Sequence, residues 1–224
     1  MFDRTISLVG IENFNKIKEK TVLIVGLGGV GGYATESLVR TGIHNLILID
    51  HDNIDITNIN RQIISSSSNI GNSKVDEFKK RILEINPNCN VTTHKLFLDK
   101  TNYNLLDNYH IDYIIDCCDS TETKKLLINY SIEKNIKLIS SMGTANKIDP
   151  TKLTITDIRK TSYDPLAKIL RKFVNDLKTN KKIMVVSSTE EPQKKESLTT
   201  MIFVPAAAGL LCGNYVIKDI INKE

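Results

Sequence analysis

No C-x-x-C pair occurs among the four cysteines, Cys89, Cys117, Cys118 and Cys212, so the usual spacing of a structural zinc site is missing. The cysteines do not form the framework of a small secreted domain either, and a reducing, cytoplasmic setting is expected. Met1–Ser7 carries Asp3 and Arg4 and no long apolar run, so it is not read as a secretory leader. The most apolar stretch, Ile202–Ile217, is interrupted by Pro205, Gly209, Gly213 and Asn214. It falls short of the ~20 residues of a bilayer span and is expected as a buried helix, with no membrane partner. Internal repeats and low-complexity tracts are absent. Charge of one sign is not in large excess: 30 Lys+Arg stand against 26 Asp+Glu, for a net +4 and a pI near 8.7. That permits an anionic partner without requiring one.

What is present is enough for one sizeable domain: 224 residues, 41% of them apolar. Ile11–Ile17 reads as a short helix, and Thr21–Val25 as a strand covered on both faces. Glycines follow, then a helix over Tyr33–Thr41 that ends at Gly42, a natural C-cap. Leu46–Ile49 is a second buried strand ending in Asp50. The stretch Asp52–Asn72 is long, polar and without period, which marks a functional or disordered loop. Ser73 is expected as the N-cap of a helix running to Ile85, with Asp76 and Glu77 in its first turn. Asn86-Pro87-Asn88 breaks that helix. Val91–Leu96, Ile111–Cys117 and Lys137–Ser141 read as strands, and Tyr103–Asn108 and Glu122–Lys134 as helical. Strands alternating with helices predict an α/β fold, a Rossmann-like, mostly parallel sheet flanked by helices.

After Met142 the pattern changes. Leu153–Ile158 alternates like an edge strand. Asp164–Lys178 is amphipathic, with Leu166, Ile169, Leu170, Phe173, Val174 and Leu177 at helical spacing. Asn180–Gln193 reads as a short strand plus loop, Ser197–Thr200 as a polar linker, and Pro205 suits the first turn of the last helix. The chain is therefore expected as a single domain, 1–224. Within it, 1–145 is a nucleotide-binding core and 146–224 a C-terminal subdomain that extends the sheet and faces the substrate.

The run Gly26-Leu27-Gly28-Gly29-Val30-Gly31 follows a strand and opens a helix, the context in which a G-x-G-x-x-G run binds phosphate. Gly26 allows the tight turn, Gly28 lets backbone approach phosphate, and Gly31 lets helix pack on strand. Bare N–H groups and roughly half a positive charge at the helix N-terminus favour an anion. Asp50, 19 residues beyond Gly31, suits a carboxylate accepting from ribose hydroxyls. These features fit NAD as well as ATP.

A cationic set that hydride transfer does not need separates the two. Arg61 lies in the long loop, beside Asn58, and Lys74 opens the next helix. When a carboxylate attacks an α-phosphate, two unit negative charges ~4 Å apart repel by about 4 kcal/mol at an effective dielectric of ~20. Fixed cations offset that repulsion and stabilise the leaving pyrophosphate. Asp119, just past the third buried strand, is placed to hold Mg²⁺ through oxygen.

With these residues in view, the chain resembles the ubiquitin-activating-enzyme-like adenylating superfamily. The resemblance rests on Val25–Gly31, Leu48-Ile49-Asp50-His51-Asp52, Thr57-Asn58-Ile59-Asn60-Arg61-Gln62, Gly71-Asn72-Ser73-Lys74 and Asp116-Cys117-Cys118-Asp119. It implies that Asp50 holds the ribose, that Asn58, Arg61 and Lys74 contact phosphates, and that Asp119 serves the metal. Gly26, Gly28, Gly29, Gly31 and Asp52 complete the implied nucleotide-binding set. It also implies that Arg4 reaches into a partner subunit's ATP site, hence a homodimer.

Further stretches are similar to the branch of that superfamily that dehydrates threonylcarbamoyladenosine in tRNA. They are Met142–Thr151, Asp157–Thr161, Asp164-Pro165-Leu166-Ala167, Ser188-Thr189-Glu190-Glu191-Pro192 and Phe203–Gly209. The resemblance implies ATP-dependent cyclisation at position 37 of tRNA through an acyl-adenylate, with Arg4, Arg61, Lys74 and Asp119 as the catalytic set. Eight basic residues between Arg159 and Lys182 (Arg159, Lys160, Lys168, Arg171, Lys172, Lys178, Lys181 and Lys182) fit contacts to tRNA phosphates.

Three rivals are carried forward. The first is adenylation of a ubiquitin-like sulfur carrier, whose activators usually hold two C-x-x-C pairs. The others are an NAD-dependent dehydrogenase and a non-catalytic scaffold partnering a cysteine desulfurase or sulfur acceptor. No catalytic cysteine is assigned, and Cys212 is expected in the core.

Overall fold

Alternating buried strands and helices build one seven-stranded sheet in the computed structural model, which describes residues 1–222. The strands are β1 (Thr21–Val25), β2 (Asn45–Ile49), β3 (Asn90–His94), β4 (Tyr113–Asp116), β5 (Lys137–Ser141), β6 (Leu153–Asp157) and β7 (Met184–Ser188). Their order is β3-β2-β1-β4-β5-β7-β6. Every pairing is parallel except that of β6 with β7. The expected Rossmann-like core and its C-terminal extension are both present, with β7 inserted between β5 and the edge strand β6.

The helices are α1 (Asp3–Val9), α2 (Ile11–Glu19), α3 (Gly31–Thr41), α4 (Lys74–Ile85), α5 (Thr121–Glu133), α6 (Pro165–Asp176) and α7 (Phe203–Ile221). Side chains alternate across each strand, so the sheet carries two cores. Val22, Ile24, Leu46, Leu48 and Ile115 face α3, α4 and α7. Leu23, Val25, Ile47, Ile49 and Ile114 face α5 and α6. α7 is long and apolar enough to cross a bilayer by length and composition. Its Ala208, Cys212, Val216 and Ile220 are instead buried in the first core, as expected for Cys212.

Some boundaries differ from the sequence reading. α1 was not anticipated, and none of its residues is buried, so no apolar stripe announces it. β3 stops at His94, short of Leu96, and β4 begins at Tyr113, after Ile111. Ser73 does occupy the N-cap of α4, but its hydroxyl makes no capping bond and is buried without a partner. The Glu77 carboxylate accepts from Asn69 and Asn72 instead.

Candidate active site

Ligand clefts in open α/β sheets form where strand order reverses, here outside the carboxyl ends of β1 and β4. A cleft of about 380 Å³ occupies that place. Its floor is the glycine loop. Gly26 sits at φ +87°, and a side chain there would strike the Cys117–Cys118 backbone at 2.7–2.8 Å. The Gly26 N–H donates to Ile49 O at 2.9 Å, which ties β1's exit to β2. No partner is found for the N–H groups of Gly28, Gly29 or Val30 among the described residues. Those bare donors lie at the N-terminus of α3, where an anion is favoured.

Asp50 holds this loop in place. It is buried, and its Oδ2 accepts from Leu27 N at 2.6 Å while Oδ1 accepts from Asp52 N at 2.8 Å. A carboxylate offers about four acceptor positions, so two remain for hydroxyls of a bound ligand.

The long polar loop is ordered by local bonds. Asp55 and Asn58 form a reciprocal capping box around the short 3₁₀ turn Ile56–Asn58. Arg61 Nη1 donates to Thr57 O at 2.8 Å and to Asn60 Oδ1 at 2.9 Å, and Arg61 has no carboxylate partner among the described residues. Arg61 lines the cleft, and its Nε and Nη2 make no hydrogen bond among the described residues. Lys74 is almost fully buried, and its Nζ meets Asp52 Oδ2 at 2.7 Å. The two therefore form an ion pair at the cleft wall, and His51 Nε2 adds a contact to Asp52 at 3.1 Å. Asp119 also lines the cleft, exposed and without hydrogen bond or ion pair among the described residues.

The structure thus gathers Gly26, Gly28, Gly29, Asp50, Asp52, Asn58, Arg61, Lys74 and Asp119 around one cleft. Gly31 lies behind the loop, packed against the Gly26 carbonyl. Arg4 is on exposed α1 and does not line the cleft of its own chain.

Several residues at the site were missed. Leu96, Phe97 and Leu98, just after β3, supply its apolar wall, and His51 stands edge-on to Phe97 at 5.1 Å. Gln62 is buried at the cleft with its Oε1 unpartnered. Beneath Asp119, Asp116 and Lys124 form a fully buried ion pair at 3.1 Å. Lys124 also donates to Ser140 Oγ and Ser141 O, and Ser140 donates to Asp116 at 2.6 Å. That network fixes the turn from which Asp119 projects. Burial works against the Lys124 ammonium, but the surrounding groups, with the Asp116 carboxylate and its hydrogen bond foremost, together outweigh it and raise its pKa, so it stays charged.

Cys117 and Cys118 also line the cleft. A hydrogen bond to Cys212, together with burial, pushes the Cys117 thiol far up, and burial followed by the Asp116 charge does the same for Cys118. Neither is a thiolate near neutral pH, so neither is set up as a nucleophile.

The far wall is Thr144 and Ala145 after β5, with Leu198 and Thr200. Asp164 braces it: Oδ2 accepts from Gly143 N at 2.7 Å, and Oδ1 caps α6 through Ala167 N at 3.1 Å. Asp164→Ala removes a cap worth about 1–2 kcal/mol. At about 2–4 °C per kcal/mol for a chain of this size, Tm is expected to fall by about 4–8 °C at most. A thermal melt within 1 °C of the parent (about a quarter of a kcal/mol) would show that Asp164 braces nothing.

Of the eight basic residues between Arg159 and Lys182, three are committed elsewhere. Arg159 bonds Asp157 and the carbonyls of Thr179 and Lys181. Arg171 bonds Thr161, and Lys181 bonds Ile132 O and Asn135. The other five, Lys160, Lys168, Lys172, Lys178 and Lys182, are exposed, and their side chains make no hydrogen bond or ion pair among the described residues.

Comparison with known proteins finds one family and several relatives that match nearly the whole chain. The model of the ThiF family matches residues 2–224. A Bacillus subtilis protein named tRNA threonylcarbamoyladenosine dehydratase is 37% identical over 240 aligned positions, which cover 99% of this chain and 94% of that protein. The crystal structure of Escherichia coli tRNA N6-threonylcarbamoyladenosine dehydratase in complex with ATP superposes with a TM-score of 0.93 at 33% identity, covering 98% of this chain and 93% of that one. The same enzyme in complex with AMP gives a TM-score of 0.93 at 34% identity, with the same coverage.

Proposed function

The chain belongs to the ThiF family, and from that membership and the geometry of the cleft we propose that it dehydrates N6-threonylcarbamoyladenosine at position 37 of tRNA at the expense of ATP. The observation that carries the reading is the pairing of a bare-donor glycine loop with Arg61, a guanidinium with no carboxylate partner among the described residues, in the cleft that Asp119 also lines.

ATP lies with its ribose at Asp50, its base toward Leu96–Leu98 and its phosphates over the glycine loop. The threonyl carboxylate enters from the Thr144 side and attacks the α-phosphorus, forming a carboxyl-phosphate bond and releasing pyrophosphate. Arg61 and Lys74 offset the repulsion between the two anions and the charge growing on the leaving group. A tethered nucleophile of the substrate then attacks the activated carbonyl and loses its proton. The ring closes and AMP leaves with the carboxyl oxygen, so that one water is lost overall. High effective concentration makes this second step undemanding, and the first is where the protein contributes most.

Asp119 fits a hard divalent cation, because its carboxylate is exposed at the cleft and unengaged, whereas Asp52 is taken by Lys74. When bound there with phosphate oxygens, Mg²⁺ would supply charge neutralisation at the triphosphate. Asp119, Asp116 and Lys124 set where that charge sits.

Residues 1–145 serve the nucleotide and 146–224 the tRNA, whose phosphates the five free lysines suit. The exposure of Arg4 on α1 fits a homodimer in which it completes the partner's cleft. Four cysteines without a disulfide and a tRNA substrate fit the cytoplasm.

Incubation of threonylcarbamoyladenosine-bearing tRNA with the protein, ATP and Mg²⁺ should yield a nucleoside lighter by one water, with AMP in equal amount. ATP–pyrophosphate exchange stimulated by a ubiquitin-like protein and not by that tRNA would overturn the reading in favour of sulfur-carrier activation.

A further inference from the structure

Tyr163 is left unexplained by the adenylation site. It precedes Asp164, the residue whose carboxylate holds the Gly143 N–H of the cleft's far wall. Its ring is 59% exposed, and it makes no hydrogen bond or ring contact among the described residues. Its backbone stands at φ +54°. Asparagine and glycine adopt that left-handed conformation readily, and a bulky aromatic residue does so rarely. A tyrosine kept there, exposed to solvent and adjacent in sequence to the residue that braces the cleft's far wall, marks a place where strain coincides with function.

The surroundings name the partner. Lys160 lies three residues before it, and Lys168 and Lys172 are one and two helical turns into α6, on one face. All three are exposed and free of ion pairs among the described residues, while Asp164 is buried and engaged inward. An exposed aromatic ring at the head of a lysine stripe is the pattern that binds unstacked nucleobases and tracks their backbone. We propose that Tyr163 is a stacking platform for a nucleobase flanking the modified adenosine, with Lys160, Lys168 and Lys172 meeting the adjoining phosphates. This rests on tRNA being the second substrate.

The chain contains no tryptophan, so Tyr163→Trp places a single tryptophan, excited selectively at the red edge beyond the tyrosines, at the proposed contact. Its emission should be quenched on titration with an anticodon stem-loop RNA and unchanged by ATP alone. Tyr163→Ala should raise KM for modified tRNA by about five- to 150-fold, the range of one lost stack. The kcat and the KM for ATP should stay within about twofold, a margin of about 0.4 kcal/mol, and Tyr163→Phe should restore KM. Stacking carries no charge, so Tyr163→Ala should leave the salt dependence of RNA binding intact. Replacing Lys160, Lys168 and Lys172 by Gln should flatten its slope by about 0.7–0.9 per lysine.

A wild-type KM for tRNA in Tyr163→Ala, in an enzyme that does release AMP and cyclise its substrate, would overturn the platform and leave the dehydratase reading standing. Loss of the oligomeric mass in Tyr163→Ala would also overturn it, assigning the ring to a second copy of the chain. Failure of the parent protein to act on modified tRNA would sink the dehydratase reading instead, and quenching by the stem-loop would still report on Tyr163.

Discussion

Arg61→Ala is expected to lower kcat for AMP release about 10²–10³-fold at saturating ATP and modified tRNA, the usual cost of removing one preorganised charge donor from a transition state. Arg61 is not a loose surface charge. Its Nη1 is committed to Thr57 O and Asn60 Oδ1, which fixes the guanidinium at the cleft it lines and leaves its other donors unbonded among the described residues. Asn60 is itself tied to the far wall through Thr200 O at 3.0 Å, so both sides of the cleft contribute to aiming one cation. Because that cation faces charge that grows during attack, its loss should fall on kcat. ATP affinity, measured by calorimetry, should change by only a few-fold. Arg61→Lys should not rescue the rate, since an ammonium cannot bond two oxygens of the loop and still present a planar fork to phosphate. Lys74→Met should behave differently. It removes the partner of Asp52 as well as a cation, leaving a carboxylate facing the nucleotide, so ATP affinity should suffer along with the rate. A kcat for Arg61→Ala within tenfold of the parent (about 1.4 kcal/mol) would mean that the guanidinium serves only the loop.

The contrast between these two cations shows what the sequence discloses and what it withholds. Arg61 and Lys74 both stand out as basic residues close to a phosphate loop, and strand-end glycines, Asp50 and Asp119 are local signals that survive without knowledge of the fold. Partnerships across the fold are invisible at that level. Lys124 sits next to Lys125 in an ordinary-looking helix, yet one is fully buried against Asp116 and the other is paired with Glu122 on the surface. Only the packing of α5 over β4 and β5 separates them. Arg171 belongs by spacing to the same basic face as Lys168 and Lys172, but its Nη1 turns back to the Thr161 carbonyl and hydroxyl, a partnership its spacing does not announce. Phe97 and Leu198 carry no periodic signal, since they lie on loops that only the sheet brings to one rim. Ser73 has the right residue type and position for a cap, and its hydroxyl makes no bond. The strands were legible because burial on both faces writes a continuous apolar run, as in Val22–Val25 and Leu46–Ile49. α1 was not, because it buries nothing.

Gly31→Ala is expected to abolish measurable ATP binding and to destabilise the fold, and a neighbouring glycine gives the control. A Cβ at Gly31 would lie 1.8 Å from the Gly26 carbonyl oxygen and 2.9 Å from its carbon. Those are backbone atoms, so no rotamer change relieves the clash, and the turn itself must open. It cannot open cheaply, because Gly26 is fixed at φ +87° against the Cys117–Cys118 backbone and bonded to Ile49 O. Overpacking of well-packed sites costs about 1–3 kcal/mol, and a contact this short with backbone on both sides belongs at or above the upper end. At about 2–4 °C per kcal/mol, Tm should drop by at least about 6 °C. Opening the turn also pulls apart the bare N–H groups of Gly28 and Gly29, which would cost the phosphate site as well. Gly28→Ala adds a methyl whose nearest neighbour is the Gln62 amide nitrogen, 3.6 Å away, so it should melt like the parent. Its methyl would still stand where backbone approaches phosphate, so ATP should bind more weakly at undiminished stability. Two glycines three residues apart would thus separate into one that shapes the loop and one that makes room for the ligand. Equal melting temperatures for Gly28→Ala and Gly31→Ala would contradict that division of roles.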